Sequence, residues 1–375
     1  MPAPAAKAAQ PGSESEPLNP SKDRNMPLTS PGRDTLALAP ETALGALQVP
    51  HLKRCWSRWM AARQGQVHSG AAAEAHRTHL VLSALGVGLE QTLQHVLHQA
   101  PDFGAFEDWI VRTAGAPSAA TVARIQALVN GTGVVPEEIA QLHAQVDAMP
   151  PVLSAEDLEH WETQGYVIVR QAVPPAGSAA AAQVVWDAVR ADPDDADSWY
   201  AHAPRNVMVQ LFQHPAFEAN RRSLRIHKAF AQLWGTADLW RSTDRCGFNP
   251  PERPGYPYGG QGLHWDVSLH LPIPFSTQGI LYLTDTPPEQ GALTLLPGFQ
   301  HRVGDWLAQL PEGANPRVQD LKALNPVPIG AGAGDLIIWH QALPHGPSAN
   351  TGTQPRLVQY INLTPAEVPC HETWL

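Results

Sequence analysis

The chain has 375 residues, 43% hydrophobic and 16% charged, with a formal net charge of −10. That length allows two or three domains. The acidic balance argues against general nucleic-acid affinity, and no run approaches the roughly 18 apolar residues of a membrane span. Three cysteines (Cys55, Cys246 and Cys370), odd in number and far apart, exclude a disulfide scaffold and a CxxC zinc site. These features describe a soluble, cytoplasmic globular protein.

Residues 1–50, rich in Pro and Ala and without a hydrophobic period, read as a disordered tail. The tail has no continuous apolar run of a secretory signal, and Glu14, Glu16 and Asp23 do not suit a transit peptide. Residues 51–148 read as a small helical N-terminal domain. Leu80, Leu82, Leu85, Val87, Leu89, Leu93, Val96 and Leu97 approximate a 3.6-residue period. A second run holds Phe103, Phe106, Trp109 and Ile110, and a third holds Val122, Ile125 and Leu128 ahead of a stop at Gly131. The pairs His76/His79 and His95/His98 have a ligand-like spacing, but no carboxylate or cysteine joins them in a pattern. They read as solvated helix faces.

A second domain is expected over 149–375. Ser154 is a fitting N-cap with Glu156 and Asp157 in the first turn. Gly165 stops that helix, a strand follows over 166–169, and another helix over 179–189. After Met208 short β-type runs broken by Pro and Gly, at 279–283, 292–296, 335–339 and 357–361, predict a sandwich or barrel.

The informative segment is Leu263-His264-Trp265-Asp266. In a strand His264 and Asp266 share a face and Trp265 takes the other. An imidazole beside a carboxylate makes two-thirds of the facial triad that leaves coordination positions open on non-haem Fe(II). His345 is the preferred third ligand, because Gly346 follows it and Arg356 stands eleven positions on; His340 is its rival. The turn-rich interval predicts a hairpin, with Arg356 on the strand returning beside the one that delivers His345. A guanidinium there can grip a carboxylate bidentately. Iron with a carboxylate-bearing chelator is what a 2-oxoglutarate enzyme needs. His270 shares the strand parity of His264 and reads as either pocket-lining or packed, while His301, Trp265, Trp306, Trp339 and Tyr360 read as structural.

In order along 154–362, these pieces resemble the phytanoyl-CoA dioxygenase (PhyH-type) family of Fe(II)/2-oxoglutarate-dependent oxygenases. The stretch 159–169 resembles the family's opening helix, glycine and strand, and His264-Trp265-Asp266 its metal motif. The stretch 285–301 resembles its Gly-Ala-Leu and Pro-Gly turn, and Gly334-Asp335 with His345-Gly346 to Arg356 complete the pattern. The resemblance implies an α+β fold in which a double-stranded β-helix (a cupin-like jelly roll) with flanking helices follows the small helical domain. It implies that His264, Asp266 and His345 hold Fe(II) and that Arg356 binds 2-oxoglutarate. Tyr282 falls at the family's aromatic near the cosubstrate. Ser348 lies close to a cosubstrate-binding serine whose register here is held by Pro347, and Phe299 replaces a serine in the Pro-Gly turn. Arg245, Cys246 and Asn249 stand ahead of the metal motif within reach of the cosubstrate. The region 51–148 has no counterpart in the family core.

The expected chemistry uses O2 and 2-oxoglutarate, releases succinate and CO2, and hydroxylates, desaturates or cyclises a small-molecule substrate. Asp266 is the carboxylate that halogenases of this fold lack. Two rival readings are a non-catalytic cupin-like binding module and a Zn or Mn cupin isomerase or hydrolase. The intact set His264, Asp266, His345 and Arg356 counts against the first, and Arg356 has no evident task in the second.

Overall fold

Between residues 52 and 148 the apolar periodicity yields helices α1 (Leu52–Arg63), α2 (Ala71–Ala84), α3 (Leu89–Gln99), α4 (Phe103–Ala114), α5 (Ala119–Asn130) and α6 (Glu137–Ala148). The structure, a computed structural model, describes residues 37–375. Asp102 and Ser118 cap α4 and α5 by accepting the N–H groups of Ala105 and Thr121. The apolar run over 80–97 is not one helix: Gly86, at φ 75°, turns the chain between α2 and α3. Leu80, Leu82, Phe106, Ile110 and Ile125 form the shared core, which also takes Trp240 from the second half of the chain. The expected disordered tail does not run to residue 50. Val49 and Pro50 are buried, and the Ala46 and Leu47 N–H groups each donate to the Glu107 carboxylate at 2.9 Å. The remainder of that tail, residues 1–36, lies outside the described residues.

The second half opens as its sequence predicts. Ser154 and Asp157 form a reciprocal capping box at α7 (Ala155–Gln164), and β1 (Tyr166–Val169) follows Gly165. α8 (Pro175–Val189) starts earlier than residue 179 because a proline at the first helical position is already set for helical φ. The remaining elements are β2 (Met208–Val209), α9 (Pro215–Arg221), α10 (Leu224–Trp234), β3 (Trp240–Arg241), β4 (Cys246–Asn249), β5 (Thr277–Tyr282), β6 (Leu293–Leu295), α11 (Val303–Ala308), β7 (Val327–Ile329), β8 (Leu336–His340), β9 (His345–Pro347), β10 (Arg356–Tyr360) and β11 (Leu363–Thr364).

One antiparallel sheet has the order β1-β8-β5-β10-β4-β2, a second β7-β6-β9, and β11 pairs with β3. Strand parity divides the large sheet into two faces. Leu281, Leu336, Ile338 and Leu357 pack with Val185, Phe217 and Phe230 from the helices. Ile280, Tyr282, Ile337, Trp339 and Val358 pack with Leu293, Leu295 and Ile329 from the small sheet. Both faces are covered, which is why these strands read as unbroken apolar runs. The result is a mixed helix-and-sheet protein whose two sheets enclose a common core. No helix among the described residues is long and apolar enough to cross a membrane.

The hairpin expected between His345 and Arg356 does not form. β9 joins the small sheet beside β6, whereas β10 enters the large sheet between β5 and β4. The chain between them crosses from one sheet to the other, and the two residues meet across the interior instead of along a ladder.

Candidate metal centre

His264 was expected on a strand; it makes only one bridge, to His345, with both backbone N–H···O bonds at 2.9 Å. The ladder stops there because Arg317 takes the next carbonyls. Its guanidinium donates to the backbone oxygens of Trp265, at 2.9 Å, and Val267, which leaves Asp266 in a bend. The alternation still holds locally: Trp265 turns inward and its indole N–H donates to the Ala342 carbonyl at 2.9 Å. Gly346 is required here by close approach. A Cβ at that position would lie 2.8 Å from the Gly262 carbonyl oxygen, on the segment that carries His264.

The three residues converge. One ligand-capable atom from each of His264, Asp266 and His345 lies within 4.8 Å of the others. His345 Nε2 is 3.2 Å from Asp266 Oδ2, and His264 Nε2 is 3.6 Å from Asp266 Oδ1. Each imidazole sets its Nδ1 against the carbonyl two residues back, Gly262 at 2.8 Å and Leu343 at 3.3 Å. In a neutral imidazole such a bond keeps the proton on Nδ1 and frees Nε2 for a metal. Gln278 donates its amide N–H to Asp266 Oδ2 at 2.7 Å. Burial by itself would raise the Asp266 carboxyl, but the His345 hydrogen bond, the imidazoles and Gln278 hold it well below the carboxylate range. Burial, and then His345, push the His264 imidazole down. A metal requires an ionised carboxylate and deprotonated Nε2 atoms, so a metal here would displace the proton that His345 Nε2 shares with Asp266 Oδ2.

Beside the cluster is a cavity of about 250 Å³, bordered by His264, Asp266, His345, Arg356, Trp339 and Tyr360. Arg356 shares strand parity with Val358 and Tyr360, so it faces the space between the sheets. It is only 1% exposed, yet its Nε and Nη2 have no hydrogen-bond partner. The Trp339 indole nitrogen and Gln278 Oε1 are likewise buried without partners, and both residues border this cavity. Buried polar groups are normally satisfied. Their concentration around one hollow marks it as built for a polar occupant.

The other candidates separate from the site. His340 accepts the Ala342 N–H at its Nδ1, and burial lowers its pKa to about 4. It is absent from the donor cluster, which leaves His345 as the third member. Tyr282 is fully buried. Its hydroxyl donates to the Ile329 carbonyl at 2.8 Å and accepts the Leu293 N–H at 2.9 Å, tying β5 to the small sheet. Ser348 spends its hydroxyl on the Ala292 carbonyl at 3.0 Å, and Asn249 donates to the Ser348 carbonyl at 3.0 Å. Tyr282, Ser348 and Asn249, expected beside the cosubstrate, each make a side-chain hydrogen bond to backbone and are not among the residues that border this cavity. His270 lies against His371, and His301 bonds the Glu162 carbonyl at 2.7 Å. Phe299 packs on Trp265 and Trp306 as a core residue. Arg245 borders the cavity but is paired with Glu90, and burial pushes the Cys246 thiol up to about 12.

Sequence reasoning missed Gln278, Arg317 and His79. The first two act through neighbours remote in sequence, so no spacing announces them. His79, set aside as a solvated helix face, lies on α2 and borders the cavity.

The profile of the phytanoyl-CoA dioxygenase (PhyH) family matches residues 127–358, a span that takes in all four of His264, Asp266, His345 and Arg356. No curated protein matches the chain. Among solved structures, HygX from Streptomyces hygroscopicus with nickel and 2-oxoglutarate bound is 17% identical, with 57% of this chain and 88% of that one covered and a TM-score of 0.41. EvdO2 from Micromonospora carbonacea var. aurantiaca, complexed with 2-oxoglutarate, is 18% identical, with 57% and 91% covered and a TM-score of 0.37. The α-ketoglutarate-dependent carbocyclase SnoK from nogalamycin biosynthesis is 18% identical, with 60% and 88% covered and a TM-score of 0.39. With well over half of its length matched by the profile, and with the His-Asp-His cluster inside the matched span, this chain belongs to the phytanoyl-CoA dioxygenase (PhyH) family.

Proposed function

We propose that this protein is a non-haem Fe(II)/2-oxoglutarate-dependent oxygenase that hydroxylates, desaturates or cyclises a small-molecule substrate. Its catalytic domain would be a double-stranded β-helix over 149–375, preceded by the helical domain 51–148. The observation that carries this reading is the convergence of His264, Asp266 and His345 on one cavity with an unpartnered, buried Arg356. The donor set fits iron: two imidazole nitrogens and one carboxylate oxygen form a facial set that leaves positions open. A ferrous ion held there with 2-oxoglutarate supplies oxidation of an unactivated C–H bond by O2, with succinate and CO2 released.

The chain's own residues do the remaining work. His264 and His345 present Nε2 because their Nδ1–H groups donate to Gly262 and Leu343. Gln278 holds Asp266 in the orientation that keeps its carboxylate beside both imidazoles. Arg356, rigid in the middle of the large sheet, offers Nε and Nη2 as a two-pronged donor for the distal carboxylate of the keto-diacid. Ile280, Leu293 and Ile361 add apolar surface to the cavity, which strengthens the charge pairing and limits water.

Anaerobic titration of the protein with Fe(II) and 2-oxoglutarate tests this. The metal-to-ligand absorption band is expected in the unaltered protein and absent in Asp266→Ala. A protein that binds Fe(II) without the band, or equally well with and without Asp266, would overturn the assignment. The rival binding-module and Zn or Mn readings predict no such band.

A further inference from the structure

Of the three residues in the donor cluster, Asp266 has the least support from its own backbone. His264 and His345 hold each other through a paired bridge, whereas residues 265–267 make no backbone–backbone hydrogen bond among the described residues. The Asp266 side chain is also the most open of the three, 54% exposed against 22% and 7% for the two imidazoles. What holds the bend is Arg317, from the short 3₁₀ turn Pro316–Val318. Nη1 donates to the Trp265 carbonyl at 2.9 Å and Nη2 to that of Val267, so one planar fork grips the chain on both sides of Asp266. The guanidinium also feels the Asp266 charge, which sets it close behind the ligand cluster.

The remaining donor, Nε, leads outward. It donates to the Leu375 carbonyl at 2.8 Å, and the Trp374 ring stacks on the guanidinium with its centroid 4.5 Å away. The Leu375 N–H donates to Ser268 Oγ at 3.2 Å. His371 Nε2 donates to the Pro272 carbonyl at 3.0 Å, and its ring meets His270 edge-on at 5.8 Å. Residues 371–375 therefore lie along 268–272, the stretch that leaves the bend, and close over Arg317. Earlier in the same segment, the Pro365 carbonyl accepts from His76 of α2 at 3.0 Å, which ties it to the helical region.

Trp374 is 65% exposed, so burial of apolar surface is not what seats these residues. The hydrogen bonds and the stacked guanidinium do that. An arginine held at all three nitrogens has one geometry; freed at Nε, it regains rotamer freedom and can release a carbonyl beside Asp266.

We propose that Arg317 is a positioning residue for Asp266, and that residues 371–375 form a strap that keeps its fork in place, so that metal binding and seating of the strap are coupled. This rests on the metal assignment within the oxygenase reading. Linkage then requires that whatever the strap adds to metal affinity, the metal returns to the strap.

The test loads the full chain with Co(II) in place of iron, by competition against a chelating dye, and follows amide hydrogen exchange over 371–375 with and without the metal. Arg317→Gln is expected to bind Co(II) about tenfold more weakly, the usual cost of losing a group that orients a ligand. Arg317→Lys should recover part of that loss, because an ammonium still donates to carbonyls but lacks the rigid fork that spans the bend. Trp374→Ala removes an exposed ring and leaves the core untouched; it should weaken Co(II) in the same direction by a smaller factor. In the unaltered protein Co(II) should slow exchange over 371–375, and that protection should vanish in Arg317→Gln. Undiminished affinity in Arg317→Gln or in Trp374→Ala, or exchange over 371–375 that is indifferent to Co(II), would overturn the proposal. An unaltered chain that binds no Co(II) would strike the metal assignment, and the proposal with it, in the first titration.

Discussion

Among the described residues two clusters bring histidine and carboxylate ligand atoms within 4.8 Å of one another, and they differ in everything but distance. In the helical region Glu41, His51 and Glu74 converge. Arg77 grips Glu41 at 2.9 and 3.0 Å, and Arg54 and Arg58 hold Glu74 at 2.6 and 3.0 Å. His51 is fully buried and bonded to Thr78, and burial lowers its pKa to about 4. Three guanidinium groups against two carboxylates leave no room for a cation. At the other cluster Asp266 is held by a neutral amide and faces two imidazoles. The one arginine that acts on it, Arg317, spends its donors on backbone carbonyls. Proximity of donors is shared by both; an uncompensated negative charge beside a hollow belongs to one.

The largest expected effect follows from that contrast. Asp266→Ala or His345→Ala should reduce bound Fe(II) from one per chain to none and abolish uncoupled succinate formation, while His340→Ala keeps the iron. Glu74→Gln should leave the metal content at one. Iron analysis of the purified variants checks all four, and a second equivalent of metal that disappears with Glu74 would break the contrast.

Arg356→Gln should leave iron bound but weaken 2-oxoglutarate on the order of a hundredfold, as expected when a buried charge loses its partner. The shift is read from the KM for 2-oxoglutarate; an unchanged KM would remove Arg356 from the site. Gln278→Ala should lower Fe(II) affinity about tenfold, the usual cost of losing a group that orients a ligand. Metal-competition titration measures it, and recovery of affinity in Gln278→Asn would argue against a need for that reach.

Stability should sharpen the contrast from the other side. Glu74→Gln is expected to cost about 1–3 kcal/mol through the lost charge-assisted bonds to Arg54 and Arg58, seen as a lower urea midpoint. His51, His227 and His340 are kept neutral by burial, each at about 4 instead of 6.5. Unfolding lets each take up a proton below pH 6.5, so stability present above that pH drains away toward pH 4. The loss is at most about 3 kcal/mol per histidine. Urea midpoints between pH 7 and 4.5 should fall accordingly, with a shallower slope in His340→Asn.

Much of this was legible because it is local. The Ser154 capping box, the strand at 166–169 and the apolar runs that became β5, β6, β8 and β10 depend on residues a few positions apart, and short-range preferences decide them. The His264-x-Asp266 pair and the step from His345 to Arg356 were legible for the same reason. What misled was geometry reached through distant partners. The hairpin to Arg356 failed because β9 and β10 enter different sheets. The strand through His264 failed because Arg317, some fifty residues on, takes the carbonyls a neighbouring strand would have used. Tyr282, Ser348 and Asn249 are polar residues close to the right place whose hydrogen bonds go to backbone.

By itself, then, the amino-acid order determined which residue types were on hand for metal and acid chemistry, and which segments would be helical or extended, because both follow from neighbours along the chain. Which histidine joined Asp266, which arginine was left unpaired, and that α2 and β3 would close the cavity beside the ligands were decided by tertiary packing. Those outcomes depend on the hydrogen bonds and charges contributed by parts of the chain that meet only after folding.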